Sequence, residues 1–194
     1  MRLDLRLPES GKCRWMSRRA TYAPGTGRTV APGGTPARRG ATALLGHAPD
    51  GPRALLGDAL AAGAAGALLS GLPSTAVTLL RGESLLDGAT AAGSILLRRE
   101  RRTAPLLAAA VPVHLTLSFG WALVMALALP RRATVPAAVA GALGIAALDL
   151  ELVGRAFPRI RALPQGRQWA DHVAYGLAVG VVVRRRRLSR AVAA

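Results

Sequence analysis

The sequence predicts an all-α fold, a membrane bundle of four transmembrane helices with an interfacial amphipathic helix between spans one and two. Three observations point there. From Thr103 to Pro130 run 28 residues without Asp, Glu, Lys or Arg, bracketed by Arg101-Arg102 and Arg131-Arg132, whereas roughly 20 apolar residues suffice to cross hydrocarbon. Apolar residues make up 51% of the chain but aromatics only 4%; a composition rich in Gly and Ala suits helices packed closely in lipid better than a soluble core. The arginines gather in the tails and at the ends of apolar runs, where charges meet lipid headgroups.

Residues 1–53 are a different material. Fourteen of them are Gly or Pro, ten are Lys or Arg, and no apolar periodicity persists. Such a segment cannot bury enough surface to offset its ordering entropy, so it is expected to be a disordered basic tail. No apolar run follows its early basic residues, so it is not a secretory signal. A start codon further downstream, at Met16 or at a non-ATG codon, is the alternative account of the tail.

The membrane domain is expected over 54–187, with a short tail at 188–194. Span one is 54–80: after Asp58 come 22 charge-free residues to Leu80. Ala59, Gly63, Ala67 and Gly71 recur every four residues and put small side chains on one face for helix packing. Pro73 removes a donor and predicts a kink at the carbonyl of Leu69. The following Leu85, Leu86, Ala89, Ala92, Leu96 and Leu97 fall near helical spacing in a run too short to span, hence the interfacial helix, with Arg98 to Arg102 at headgroup depth. Span two is 103–130, with Pro105 in its first turn and a bend expected at Pro112. His114, Ser118, Trp121 and Met125 share one of its faces.

Span three, 133–154, is charge-free to Leu148 and then carries Asp149 and Glu151, which at a separation of two project from opposite sides. The segment RAFPRIRALPQGRQ alternates Arg with Phe157, Ile160 and Leu163 and is expected on the membrane surface, with Trp169 as an interfacial anchor. Span four, 168–183, is short on hydropathy, since only the 11 residues from Val173 to Val183 follow Asp171 and His172 without a charge. Gly176 and Gly180 give it a GxxxG packing face, and Arg184 to Arg187 are expected to stop it.

The net charge of +16 raises nucleic-acid binding, but no recognition helix, zinc spacing or aromatic-studded sheet accompanies it, so no nucleic-acid partner is expected. The expected partners are instead a bilayer whose anionic headgroups the Arg clusters contact, and a second copy or another membrane protein. No phosphate loop, nucleophile elbow, HExxH, HxxxH or Cys cluster is present. The chain is therefore expected to be no enzyme, with no cofactor and no metal. Twenty-five Arg against the single Lys12 carry the coding signature of a GC-rich bacterial genome.

Four spans place both termini on one side. Ten Arg near the tails and the 131–132 turn face nine on the other two loops, and the four-Arg run after span four tips the expectation to cytoplasmic termini. Alternating chain direction brings Asp149, Glu151, Asp171 and His172 to one half of the bundle, with His114 about 16 Å into span two at 1.5 Å per residue. Two readings follow. In one, a polar cavity has His114 and Asp149 as its inner pair and Asp171, His172 and Tyr175 as its mouth, a substrate or proton site of a small transporter or proton-linked permease. In the other, His114 makes one interhelical hydrogen bond, the carboxylates pair with arginine, and the protein is a non-enzymatic packing or partner-binding protein; this second reading is preferred.

The runs GLPST (71–75), SILLRRERRTAPLLAAAVPVHLTLSFGWA (94–122) and FPRIRALPQGRQWADHVAYGLAVG (157–180) resemble small uncharacterised multi-pass integral membrane proteins of GC-rich actinobacteria. The resemblance covers about residues 54–187. It implies a bacterial plasma (inner) membrane location and no activity, substrate or catalytic residue.

Overall fold

The computed structural model describes residues 51–193, and all the regular structure among them is helical. The expected basic tail lies outside the described residues except for its last three positions. There α1 (Pro52–Leu69) already begins, with proline at a position where a missing N–H costs nothing. The helix gives way at Ser70–Gly71 and restarts as α2 (Leu72–Arg81). Pro73 cannot donate to Leu69, and the kink expected there is a two-residue interruption in which Ser70 and Gly71 keep near-helical backbone angles. Gly82 closes α2 in the left-handed region at φ 64°, and Glu83 N–H donates to Thr78 O at 3.0 Å, a helix end that glycine favours.

The chain continues through α3 (Leu86–Gly93), α4 (Thr103–Ala128), α5 (Thr134–Ala147), a π-helical turn (Leu148–Val153), α6 (Gly154–Ala156), α7 (Pro158–Arg161) and α8 (Gln165–Ala193). Three of these stretches, Pro52–Arg81, Thr103–Ala128 and Thr134–Ala156, are long and apolar enough to cross a membrane. They coincide with expected spans one to three. α4 runs uninterrupted through Pro112.

Packing runs in the order α5, α8, α1, α4. α8 lies close against α5. A Cβ added at Gly176 would sit 2.7 Å from Ala142 Cβ and 2.8 Å from Ala138 O, and one at Gly180 would lie 3.0 Å from Val135 Cα. Only glycine admits a helix backbone at that distance. On α1, Ala59 is buried, Ala67 is half-buried, and a Cβ at Gly63 would meet the Phe119 ring at 2.5 Å. Gly71 faces open space, so the small-residue face ends where the helix breaks. Between these helices Ala62, Ala122, Met125, Ala142, Ile145, Tyr175, Val179 and Val183 form the core, while Leu68, Leu80, Leu127 and Leu152 point outward.

Two elements differ from their expected form. α3 is eight residues long and buries Ala91 and Gly93 rather than its leucines; a Cβ at Gly93 would fall 1.9 Å from Leu106 O, so α3 lies directly on the α4 backbone. Leu85, Leu86, Leu96 and Leu97 stay exposed. The second is α8, which continues to Ala193 instead of stopping at Arg184. Its arginines do not end it, because several find partners within the protein.

Candidate functional site

Polar side chains collect at the two ends of the bundle. Of the five predicted site residues, Asp149 and His172 meet each other at the end where α2 meets the start of α8, and His114, Asp171 and Tyr175 each take a separate partner. Asp149 lies in the π-helical turn, a feature that re-aims the residues it carries, and its Oδ2 is 3.3 Å from Nε2 of His172. His172 Nδ1 lies 2.8 Å from Gln168 O. Both neighbours of the ring are acceptors, so a neutral imidazole beside an ionised Asp149 leaves one contact without a hydrogen. Glu151 turns outward beside Arg155, 3.7 Å away.

His114 is not part of this pair. It is exposed on the outer face of α4, and its Nε2 donates to Ala67 O at 2.9 Å. Ala67 lies in the last turn of α1, whose carbonyls lack helical donors of their own. Asp171 accepts from Ser74 N–H at 2.9 Å, so a carboxylate on α8 caps the first turn of α2 from outside. The Tyr175 hydroxyl donates to Ser118 O, and its ring fills the space over Gly66; it is a buried rivet, not a rim residue. The expected inner pair of His114 and Asp149 does not form, because the helix break at Ser70–Gly71 and the π-helical turn give each a nearer partner.

A polar cavity does open on this side, with a volume of about 580 Å³ between α2, α3 and residues 159–168. Thr78, Glu83, Asp87, Arg159, Arg167 and Gln168 are among its walls, and none of the five predicted residues is. Arg167 donates to Thr78 Oγ1 at 3.1 Å and to Glu83. That hydrogen bond holds the Glu83 carboxyl below the usual carboxylate range. Arg159 reaches Glu100 O at 3.1 Å. Glu100 accepts from the Arg102 side chain and from the N–H groups of Arg101 and Arg102, which together lower its carboxyl to about 2. Arg98 donates to Ala156 O at 2.9 Å and lies 5.5 Å from the Phe157 ring centre.

The opposite end holds the residues that sequence reasoning missed. Asp58 is 2% exposed. It accepts from Arg186 Nε at 2.8 Å and, in a two-pronged contact, from both terminal nitrogens of Arg190 at 2.7 Å. Such fork-on-carboxylate pairs are the stronger hydrogen bonds. Arg187 donates to Ala126 O at 2.9 Å and to Leu129 O at 3.0 Å, capping the end of α4. The signal was present in the sequence: Asp58 is the only acid inside span one, and Arg186 and Arg190 are four apart on one face of a helix running antiparallel to it.

Among the described residues no group of three or more His, Cys, Asp or Glu gathers as a metal site would require. Compared with known proteins, the chain matches no family model, no curated protein and no solved structure.

Proposed function

We infer that this chain is a four-span integral membrane protein of the bacterial plasma membrane, with a non-enzymatic packing or partner-binding role. One observation carries the reading: the ionisable groups at membrane depth are engaged with the bundle itself. His114 bonds Ala67 O, Asp149 bonds His172, Asp171 caps α2, and Asp58 takes two arginines. A transport site needs such groups turned toward a route. The permease alternative requires His114 and Asp149 to face one cavity, and their partners here lie on different helices.

The fourth span rests on register. α8 touches Ser74 through Asp171 and Asp58 through Arg186. These contacts are 16 residues apart on α1–α2 and 15 apart on α8, or about 22–24 Å along each axis. A helix that runs beside a membrane-crossing one for that distance crosses with it. α3, with its outward leucines and the following basic run, lies at the interface.

Reporter fusions after Arg102, Arg132 and Arg190 test the count. The expected pattern is Arg132 and Arg190 in the cytoplasm with Arg102 outside. A fusion at Arg190 that reports the same side as Arg102 would remove the fourth span. Separate His114→Ala and Asp149→Ala variants should still complement a deletion strain; loss of a pH-dependent flux in both, with insertion intact, would restore the permease.

A further inference from the structure

The cavity between α2, α3 and the start of α8 carries charges that the bundle does not neutralise. Of its two acids, Glu83 is held by Arg167. The carboxylate of Asp87, among the described residues, has no hydrogen-bond or ion-pair partner. Of its two cations, Arg167 is engaged by Glu83 and Thr78, while Arg159 gives one nitrogen to Glu100 O and keeps further donors of its planar fork. One acid and one guanidinium therefore remain to face an occupant of the same cavity. The volume, about 580 Å³, falls in the range of small-molecule sites.

We propose that this cavity binds a zwitterion bearing a phosphate and a primary ammonium, with the headgroup of phosphatidylethanolamine as its source. The guanidinium of Arg159 matches a phosphate through paired N–H donors, and Asp87 accepts from the ammonium. The selectivity comes from the opposed charges. A purely anionic headgroup meets Asp87 uncompensated, and a simple cation meets Arg159. A lipid rather than a soluble zwitterion fits the cavity wall, where Leu85 is 50% exposed and offers apolar surface to the acyl-glycerol portion. The assignment rests on the membrane reading given above.

The test uses the full chain in detergent micelles, with bound lipid counted by native mass spectrometry against phosphatidylethanolamine, phosphatidylglycerol and glycerophosphoethanolamine. Phosphatidylethanolamine should bind about tenfold more tightly than phosphatidylglycerol, the scale of one charge-assisted contact. Arg159→Gln and Asp87→Asn should each weaken it about tenfold, and Asp87→Asn should also admit phosphatidylglycerol. Arg185→Gln, on the exposed face of α8, should change neither. Equal binding of the two lipids by the unaltered chain overturns the proposal, as does an Asp87→Asn variant with unchanged preference. Glycerophosphoethanolamine binding as tightly as the lipid would overturn the lipid source. A chain that purifies without detergent refutes the membrane reading, whereas one that needs detergent and shows no preference refutes only the cavity assignment.

Discussion

The two ends of the bundle use charge in opposite ways. At the Asp58 end, a buried carboxylate meets two guanidinium groups and a third arginine caps α4, so polar groups tie the start of α1, the end of α4 and the end of α8 together. At the Asp171 end, the contacts are single and dispersed, and a cavity stays open among them. The lesson is that a high count of arginines near membrane ends does not specify what they touch. At one end they add ionic ties to a helix, α8, whose middle is already held by apolar packing through Val179 and Val183, and at the other they leave a cavity open.

That contrast predicts its own largest effect. Asp58→Ala removes the buried carboxylate to which both Arg186 and Arg190 donate. The guanidinium groups left behind keep access to solvent, so the cost is that of the lost charge-assisted hydrogen bonds, about 1.5–3 kcal/mol. Thermal unfolding in detergent should register this loss, together with increased proteolysis of α8 beyond Val183. Asp171→Ala, which removes a single cap on α2, should cost only about 1 kcal/mol. Equal losses from the two variants would erase the distinction between the ends.

A smaller effect separates the packed face of α8 from an open one. Gly176→Ala drives a methyl to within 2.9 Å of Val139 Cα and 2.8 Å of Ala138 O. Backbone atoms cannot swing away as a flexible side chain does, so α5 and α8 must move apart, at about 1–3 kcal/mol. Gly144→Ala on α5 meets nothing within 4 Å and should stabilise the helix by about 0.5–1 kcal/mol. A neutral Gly176→Ala, read by the same melting measurement, would mean that α8 is not held by this contact.

How far the sequence reached follows the same division. The three long apolar stretches were legible because hydropathy is additive along a helix and needs no knowledge of neighbours. So were Gly176 and Gly180 as a close face, since spacing alone defines it. α8 was only half legible: Asp171, His172 and the arginines from Arg184 onward depress its hydropathy, and their partners lie elsewhere in the chain. The side on which Asp149, Asp171 and His172 gather followed from alternating chain direction. Which of them touch did not, because the rotation of each helix depends on the chain path at Ser70–Gly71, of which Pro73 signals only a kink, and on a π-helical turn that residue spacing does not reveal. His114 shows the limit: its mid-span depth left open a pairing with Asp149 or, as preferred, one interhelical hydrogen bond, and the freed carbonyl of Ala67 that it meets was invisible without the interruption of α1.

The finest difference lies between two carboxylates on the open side, both outside the spans. Glu100 draws its donors from Arg101 and Arg102, its immediate neighbours, while Glu83 depends on Arg167, far away in sequence. Both are pushed below the ordinary glutamate value of ~4.3, Glu100 to about 2. A lowered folded-state value means that each contact contributes fully above ~4.3 and is lost only as pH falls through the lowered value. For Glu100 the loss should therefore run from ~4.3 down to about 2. Carboxyl-carbon NMR titration of the micelle-bound chain, selectively labelled at glutamate, can follow both. Arg167→Gln should return Glu83 toward its ordinary value and leave Glu100 where it is, because the donors to Glu100 travel with its own backbone. Movement of both signals together would mean that the rim of the cavity is one coupled network, and that the open end is less independent of α8 than its single contacts imply.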